Sequence, residues 1–494
     1  MGFLIDTKNK LTAYKRSQTV TIAVAGLSRS GKSAFITSVI ANLEAAMQTV
    51  EGRKWLNGLE VIDTGRLHSA RRPSNFVAIN GRQFPYKDML AALAADTPTW
   101  PKRTANIYET ALDVRFWPDR KPAQTSDPTA SLRLVFVDYP GEWLVDVPMA
   151  RQDYADWSKT VFERLRASPW SDISGAFQGF VAGTRWDRLN DDETTQLAAK
   201  EWQRVLLAAR DKGLKWLQPG QFVRKRGESE EASAPSLHEQ ALWFCPLPAN
   251  VISDAKRGSL AHTMGKQYSS YQKGVKQFFS ETLKDASRHV LLVDVLEALA
   301  EGENAFNETA AVLGEVYGVL ADSRPGAFGA LFSKSGFDKV LLVATKADTV
   351  PPNQRASLSS LLKDMCSGTV AKEANIPYPL ANYVAAIRAT EDVEWEVDGA
   401  TVKVVKGLCG DLGKQVVVKM VDIPDSMPSS DYFKRREGKR TPRFVPVKVK
   451  ADGKFGIANV RLGSMLNDLI WVRCSTTSLG TFSGDAAATP KIPH

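Results

Sequence analysis

Residues 26–33 read GLSRSGKS and directly follow the apolar run VTIAVA of residues 20–25. The stretch fits the pattern G-x-x-x-x-G-K-[ST], which is the phosphate-binding loop (P-loop) of a large class of nucleotide-binding folds. Residues 19–25 predict a buried strand, and residues 32–47 carry apolar side chains at helical spacing. Strand, glycine loop and helix in this order are the context that the motif needs. The stretch therefore predicts an α/β fold built around a bound nucleotide.

The residue types in the loop suit a triphosphate, because backbone N–H groups and a helix N-terminus attract its negative charge. Gly26 allows the turn and Gly31 lets the chain approach the phosphates, while Lys32 is predicted to reach the β- and γ-phosphates. The Ser33 hydroxyl is predicted to bind Mg²⁺. The nucleotide-binding residues predicted in this stretch are Gly26, Ser28, Arg29, Ser30, Gly31, Lys32, Ser33 and Ala34.

Arg29 is unusual, since small residues are the norm inside such a loop. Two interpretations stay open: its guanidinium offsets charge that develops near the β–γ bridge oxygen, or it points to solvent. The first makes Arg29 a candidate catalytic residue beside Lys32.

A later tetrapeptide, TKAD at residues 345–348, ends another apolar run and fits [N/T]-K-x-D, the guanine-reading element of GTPases. A carboxylate at Asp348 accepts from both the N1–H and the 2-amine of guanine, whereas adenine would leave it desolvated and unpaired. The Lys346 stem is predicted to pack over the base, and Thr349 to lie beside it. The pattern favours GTP and GDP over ATP as the bound nucleotide.

Residues 382–390 predict a further strand that ends at Arg388, Ala389 and Thr390. GTPases place a short turn there, in which a backbone N–H meets the guanine O6. We therefore predict that these three residues contact the base.

Asp138 ends the apolar run of residues 132–137, and Gly141 follows three residues later. The carboxylate is predicted to lie near Mg²⁺, and the glycine N–H near the γ-phosphate. Glu142 stands where many GTPases keep a glutamine that orients the attacking water. A carboxylate can orient water but adds negative charge beside the γ-phosphate, so slow intrinsic turnover is predicted.

The strand and helix patterns predict an α/β P-loop NTPase resembling a GTPase domain (G domain), with a mainly parallel sheet. A large helical insertion is predicted to interrupt this core, and a small C-terminal β extension is predicted to follow it. The predicted segments are an N-terminal segment (1–17), the first part of the G domain (18–146), the helical insertion (147–287), the second part of the G domain (288–392), a β-rich extension (393–474) and a disordered tail (475–494).

Composition sets wider limits. The 494 residues carry a net charge of +9, which suits a polyphosphate ligand and equally permits attraction to nucleic acid or anionic lipid. No run approaches the roughly 18 apolar residues of a membrane span, and no secretory signal is predicted. The four cysteines are far apart and predict reduced cytosolic thiols. The basic loop at residues 433–440 is interpreted as solvated, with a nucleic-acid or lipid contact as the alternative.

Several stretches in order and spacing, GLSRSGKSAFITS, WPKRT, DYPGEW, VLLVDVL, ATKAD and IRAT, resemble the YcjX family of bacterial P-loop GTPases. The resemblance implies a cytoplasmic, stress-associated GTPase that uses Mg²⁺ and is linked to envelope stress. It also implies an inner-membrane protein as a possible partner and a peripheral location at that membrane. A nucleic-acid partner is not indicated.

The resemblance also bears on TPTWPKRT at residues 97–104, where a GTPase carries its first switch segment. Thr104 is the predicted residue that closes over Mg²⁺ and the γ-phosphate, and Trp100 and Arg103 are predicted to cover the nucleotide. Arg103 is also a candidate for neutralising phosphate charge from within the chain. The alternative is a proline-bent surface loop with a packed tryptophan.

Three functions stay open from the sequence. The first is a GTPase switch whose helical insertion reports the nucleotide state to a partner. The second is an ATPase, or an NTPase that accepts both bases, whose insertion performs mechanical work. The third is an adaptor that uses the basic C-terminal part on nucleic acid or a membrane surface, with a purely structural nucleotide.

Overall fold

The computed structural model of the chain describes residues 18–26, 30–78, 81–101, 106–117, 127–128, 130–223, 242–322, 337–370, 376–397, 399–419, 422–436, 441–450 and 452–470. The predicted N-terminal segment and the predicted disordered tail lie outside these residues. Ser28, Arg29, Arg103 and Thr104 lie outside them as well. The backbone of Glu142 is described, but its side chain is not.

An eight-stranded mixed sheet forms the centre, with the strand order β2-β4-β5-β1-β6-β7-β8 and with β3 paired to β4. Its strands are β1 (Gln18–Gly26), β2 (Leu67–Arg71), β3 (Arg82–Gln83), β4 (Tyr108–Phe116), β5 (Ala130–Asp138), β6 (Ala286–Val293), β7 (Lys339–Ala344) and β8 (Leu380–Tyr383). From β5 through β8 every pairing is parallel, and only β4 with β5 and β2 with β4 run antiparallel. The predicted α/β fold with a mainly parallel sheet is confirmed.

The sheet differs from the predicted strands in two respects. Strands β2, β3 and β4 were not predicted, because polar residues interrupt the apolar runs that mark buried parallel strands. Strand β6 ends at Val293, and the strand predicted at residues 382–390 ends earlier, at Tyr383. At the first of these ends, Asp294 caps a helix and so stops the extended chain.

Fifteen α-helices occur among the described residues. They are α1 (Lys32–Ala45), α2 (Val50–Lys54), α3 (Glu60–Asp63), α4 (Tyr86–Ala94), α5 (Gly141–Leu144), α6 (Tyr154–Arg164), α7 (Ser171–Gly183), α8 (Asp192–Asp211), α9 (Ala249–Ser253), α10 (Leu260–Thr282), α11 (Val295–Ala300), α12 (Glu303–Leu320), α13 (Arg355–Val370), α14 (Ser430–Arg436) and α15 (Leu462–Ile470). Short 3₁₀ turns lie at Pro148–Arg151, Gly220–Val223, Ala347–Thr349 and Pro352–Gln354.

Helices α6 to α10 make up the described regular structure of the predicted insertion, together with two of the 3₁₀ turns. Their apolar faces do not form a core of their own. They join one continuous hydrophobic cluster that includes Ala23, Ala25 and Val137 on one face of the central sheet. The insertion is therefore built onto the sheet, and its packing reaches the strand ends that carry the predicted site.

The other face of the sheet carries a second cluster. Strand β1 alternates between the two, since Val20, Ile22 and Val24 belong to the second cluster and Ala23 and Ala25 to the first. Helices α1 and α4 pack on this second face, together with residues of α15 near the end of the chain. The C-terminal part of the chain thus contributes directly to the core of the nucleotide-binding fold.

After β8 the chain forms a three-stranded antiparallel sheet from β9 (Thr390–Val397), β10 (Ala400–Cys409) and β11 (Lys414–Val418). This matches the hairpins predicted from the sequence, and Gly399 occupies the turn at φ +77°. The expected continuation of β structure through residues 442–458 is wrong: in the described part of that stretch only an isolated bridge at Phe444 is found. Two prolines and two glycines in this stretch, Pro442, Pro446, Gly453 and Gly456, explain the difference.

None of the helices in the described part of the chain is both long and apolar enough to cross a membrane.

Candidate nucleotide-binding site

A cavity of about 770 Å³ opens at the carboxyl ends of strands β1, β6, β7 and β8. Its size lies within the roughly 300–1,000 Å³ that small-molecule and cofactor sites occupy. Five stretches supply most of the wall: residues 30–35, 98–101, 294–301, 345–349 and 384–389. A sixth, residues 441–446, comes from the C-terminal extension and is called the strap below. The cavity lies where open α/β sheets bind their ligands.

One end of the cavity is the N-terminus of α1. Gly31 caps this helix at φ +86°, a left-handed conformation that favours glycine, and Lys32, Ser33 and Ala34 follow on the cavity wall. The first turn of α1 contains no acidic residue. The positive end of the helix dipole therefore lies at the cavity wall, where it favours an anion.

Gly26 lies at the start of this loop and is held there by close contacts. A Cβ at this position would stand 2.5 Å from the carbonyl oxygen of Leu292 and 2.2 Å from Ser30 Oγ. Gly26 pairs with Leu292 of β6, so the loop begins tight against the neighbouring parallel strand. The hydroxyl of Ser30 is buried at the cavity and has no hydrogen-bond partner among the described residues.

Asp138 ends β5, directly beside β1, and its side chain is wholly buried. It pairs in register with Val24, two residues before the loop begins. Ser33 is buried in the first turn of α1. A carboxylate and a hydroxyl are hard oxygen donors of the kind that Mg²⁺ prefers, so the chemistry of these two residues fits the predicted metal.

Gly141 lines the cavity and begins α5, and the chain that follows it is buried in the helical insertion. The Trp143 ring stacks on Phe278 with a centroid distance of 4.0 Å. The Tyr268 hydroxyl and the Gln272 amide both donate to the carbonyl oxygens of Met149 and Gln152. Helix α10 therefore holds the segment that follows the predicted γ-phosphate contact.

Asp146 is the buried polar centre of this contact. Its carboxylate accepts hydrogen bonds from the Tyr271 hydroxyl at 2.6 Å and from the Gly220 amide at 2.8 Å. Complete burial raises the pKa of Asp146 to about 7, although both hydrogen bonds oppose the shift. A change of protonation at this residue thus lies near neutral pH.

The opposite end of the cavity is formed by the predicted base-reading residues. Asp348 is 3% exposed, and its Oδ2 accepts a hydrogen bond from the Ala389 amide at 2.7 Å. The Thr390 hydroxyl donates to the Asp348 carbonyl oxygen at 2.5 Å. Burial raises the pKa of Asp348, and the Ala389 hydrogen bond partly opposes this. The carboxylate is therefore fixed in position at the wall of the cavity.

Lys346 adopts a left-handed conformation at φ +59°, and its ammonium group pairs with the carboxylate of Asp294. Asp294 ends the β6 run and caps α11 by accepting from the Glu297 amide at 3.0 Å. Thr349 lines the cavity beside them and donates its hydroxyl hydrogen to the Lys346 carbonyl oxygen. Asp294 was not predicted, although an acid after an apolar run is the same signal that identified Asp138.

The turn after β8 differs in detail from the predicted base contact. Residues 384–387 and Ala389 line the cavity. Arg388 instead pairs with Asp392 at 2.8 Å and donates to the Thr390 carbonyl oxygen at 2.7 Å. Arg388 and Thr390 are not among the described lining residues; they brace the turn and the Asp348 backbone. Because β8 ends at Tyr383, the turn begins earlier than the sequence pattern indicated.

Trp100, which the sequence predicts to cover the nucleotide, lines the cavity, and its indole N–H donates to the Phe444 carbonyl oxygen at 2.8 Å. The predicted first switch residues Arg103 and Thr104 follow just outside the described part of the chain. The strap was not predicted, since the sequence around residues 441–446 matches no nucleotide-binding motif. Only its position in three dimensions brings it to the cavity.

Comparisons with known proteins agree with this geometry. The model of the YcjX-like family, DUF463, matches residues 20–471. A protein named Ras-like GTPase YcjX from Escherichia coli (strain K12) is 29% identical over 478 residues, covering 94% of this chain and 98% of the relative. A protein of the same name from Shewanella oneidensis is 28% identical over 472 residues, covering 90% and 94%. The family match spans the described core, the insertion and the extension, and the chain belongs to the YcjX-like family.

Proposed function

We propose that this chain binds a guanine nucleotide with Mg²⁺ and hydrolyses GTP to GDP and phosphate. The observation that carries the proposal is a single cavity whose one end is the Gly31-capped helix and whose other end is the buried carboxylate of Asp348. The first group is suited to phosphates and the second to a base that presents two N–H donors. Both relatives described above carry the name Ras-like GTPase.

At the phosphate end, the amides at the start of α1 and the Lys32 ammonium group bind the β- and γ-phosphates. Ser33 and Asp138 hold Mg²⁺, with Thr104 as the third proposed ligand. When bound, the metal neutralises the charge of the phosphate oxygens. Gly141 offers its amide to the γ-phosphate, because it starts α5 at the cavity wall.

At the base end, Asp348 accepts hydrogen bonds from the guanine N1–H and 2-amine. An ionised carboxylate has about four lone-pair positions, so the bond from Ala389 leaves capacity for the base. Four amides of residues 384–389 are already used by the chain itself: Val384 donates to Ala344, Ala385 to Val460, Arg388 to Ala458 and Ala389 to Asp348. The amide that meets the guanine O6 is therefore that of Ala386 or Ile387.

For hydrolysis, we propose that Glu142 orients the attacking water and that Arg103 or Arg29 offsets the charge that develops on the phosphates. The carboxylate at Glu142 makes intrinsic turnover slow. The segment after Gly141 is held by α10, so the helical insertion is the part of the protein that registers a change at the γ-phosphate. We further propose that the protein is a cytoplasmic, stress-related switch with an inner-membrane protein as its partner.

The proposal is tested by calorimetric titration of the protein with GDP, a non-hydrolysable GTP analogue, a non-hydrolysable ATP analogue and the corresponding xanthine nucleotide, all with Mg²⁺. Guanine nucleotides are expected to bind at least about 100-fold more tightly than the ATP analogue, since adenine leaves the Asp348 carboxylate buried and unpaired. Equal binding of the ATP analogue contradicts the proposal.

Asp348→Asn sharpens this test, because its amide donates where the carboxylate accepted. The variant is expected to lose about 100-fold in affinity for GDP and to gain affinity for the xanthine nucleotide, whose 2-position is a carbonyl oxygen. The exchange of preference cannot result from misfolding. Asp211→Asn, a change at an exposed carboxylate of α8, is the matched control and is expected to keep the guanine preference.

A further inference from the structure

We infer that the C-terminal extension completes the nucleotide site, and that Arg443 of the strap contacts the bound guanine nucleotide on its base side. The inference rests on the proposed function and adds to it a binding residue from outside the core fold. The extension then acts as the part of the chain that closes over the base.

The strap is held in a defined position by β10. The Arg443 carbonyl oxygen accepts from the Gly410 amide at 2.8 Å, and the Val445 amide donates to the Leu408 carbonyl oxygen at 2.9 Å. Phe444, between them, forms an isolated antiparallel bridge with Cys409. Two backbone hydrogen bonds on either side of one residue fix both the direction and the register of this segment.

The strap lies at the base end of the cavity and not at the phosphate end. The Phe444 ring packs with Ala389 and Val405 in a small buried cluster, and Ala389 is the residue whose amide binds Asp348. A Cβ on Gly407 would stand 2.6 Å from the Phe444 ring and 3.0 Å from the Ala389 carbonyl oxygen. The strap is thus seated directly on the turn that positions the base-reading carboxylate.

The strap also connects this turn to the chain that precedes the first switch. The Trp100 indole N–H donates to the Phe444 carbonyl oxygen at 2.8 Å, and Pro98, Thr99 and Pro101 line the same wall. One residue of the extension therefore contacts both stretches that border the base. This arrangement leaves the Phe444 backbone fixed while the neighbouring Arg443 side chain lines the cavity.

The chemistry of the strap residues suits a nucleotide. Arg443 lines the cavity, has an exposed side chain and forms no salt bridge within the described part of the chain. A planar guanidinium stacks on a purine face and donates hydrogen bonds to its edge. The buried hydroxyl of Thr441 also lines the cavity and has no hydrogen-bond partner among the described residues. Lys346, which is held by Asp294, lines the same cavity.

The experiment measures the affinity and the release rate of GDP and of a non-hydrolysable GTP analogue for the full chain and three variants. Arg443→Ala is expected to weaken binding of both nucleotides equally, by about five- to tenfold, because the base is common to both. The affinity of Arg443→Lys is expected to lie between those of the wild type and Arg443→Ala, since lysine keeps the positive charge but lacks the planar guanidinium group. Arg435→Ala, an exposed arginine of α14 in the same extension, is the matched control and is expected to bind as the wild type does.

Two results overturn the inference while leaving the proposed function in place. One is wild-type affinity and release rate in Arg443→Ala, which would show that the strap does not touch the nucleotide. The other is a loss confined to the GTP analogue, which would place Arg443 at the γ-phosphate. A wild-type protein that binds no guanine nucleotide overturns the proposed function itself, and this is measured in the same titration.

Discussion

The two ends of the cavity are built in different ways. The phosphate end comes from the loop and α1, which are continuous in sequence, and from the end of β5 beside them. The base end is assembled from four distant stretches, at residues 98–101, 345–349, 384–389 and 441–446. Behind the phosphate end, the segment after Gly141 is fixed in the large cluster that includes the insertion. At the base end, the strap rests on a cluster of only three buried residues, Ala389, Val405 and Phe444.

The phosphate end is therefore held by a large buried cluster, whereas the base end is held by a few specific contacts. A change in the insertion is expected to act on folding and on the phosphate contacts together. A change in the strap is expected to act on base affinity and nucleotide release while the fold stays intact.

Asp146, which helps to hold the segment after Gly141 behind the phosphate end, is expected to change its protonation near neutral pH. The pKa of Asp146 is about 7 in the folded chain and 3.8 in an ordinary aspartate, so the folded state binds the proton more tightly. The stability from this group is complete below the unfolded pKa and is lost as pH rises through about 7. Between pH 5 and pH 8 the loss is about 3 kcal/mol.

Asp146→Asn is expected to remove this pH dependence, because the amide stays neutral and can still accept from Gly220. Urea unfolding of wild type and variant at pH 5 and pH 8 measures the difference. Asp254→Asn, at an exposed position after α9, is the control that is expected to leave the pH dependence unchanged. If the free energy of unfolding depended on pH identically in the wild type and in Asp146→Asn, the Asp146 carboxyl group would not be the source of this pH dependence.

Substitutions at two glycines allow the two ends of the cavity to be compared directly: Gly26 begins the phosphate-binding loop, and Gly407 packs against the strap. Gly26→Ala places a Cβ 2.5 Å from a backbone oxygen of β6, which cannot move without disturbing the sheet. The loop must shift instead, and GDP affinity is expected to fall by about tenfold or more. Gly407→Ala meets the Phe444 ring at 2.6 Å and the Ala389 carbonyl oxygen at 3.0 Å, contacts that a small shift of the strap relieves, so a loss of about threefold is expected.

Gly175→Ala is the control for this pair, since nothing lies within 4 Å of its Cβ position in α7. It is expected to bind GDP as the wild type does and to be slightly more stable, because alanine favours the helix. If Gly407→Ala weakened binding as strongly as Gly26→Ala, the base end would be as rigid as the phosphate end, and the comparison would fail.

The strand, loop and helix order at the phosphate end could be predicted because its geometry is local. Gly31, Lys32 and Ser33 follow one another, and the strand–loop–helix context was visible in the apolar pattern. Asp348 could be predicted from the tetrapeptide TKAD, because the continuous apolar run before it marks the end of a buried strand. Ser28, Arg29, Arg103, Thr104 and the Glu142 side chain remain predictions outside the described structure.

The base end could be predicted only in part because it is non-local. The early end of β8 depends on which strands become neighbours, and the apolar pattern does not record this. Arg388 turned to Asp392 because an acid four residues later lies within its reach. The strap is brought to the cavity by its pairing with the end of β10, more than thirty residues away in sequence and without a motif to mark it.

The most direct test of the account is the structure of this protein crystallised with GDP and Mg²⁺. We expect the phosphates to bind the amides that follow Gly31, and the guanine N1–H and 2-amine to donate to Asp348. We expect the base to lie between Lys346 and the strap, in contact with Arg443. A nucleotide that occupies the loop with its base turned away from Asp348, toward solvent or toward α11, would contradict the central claim.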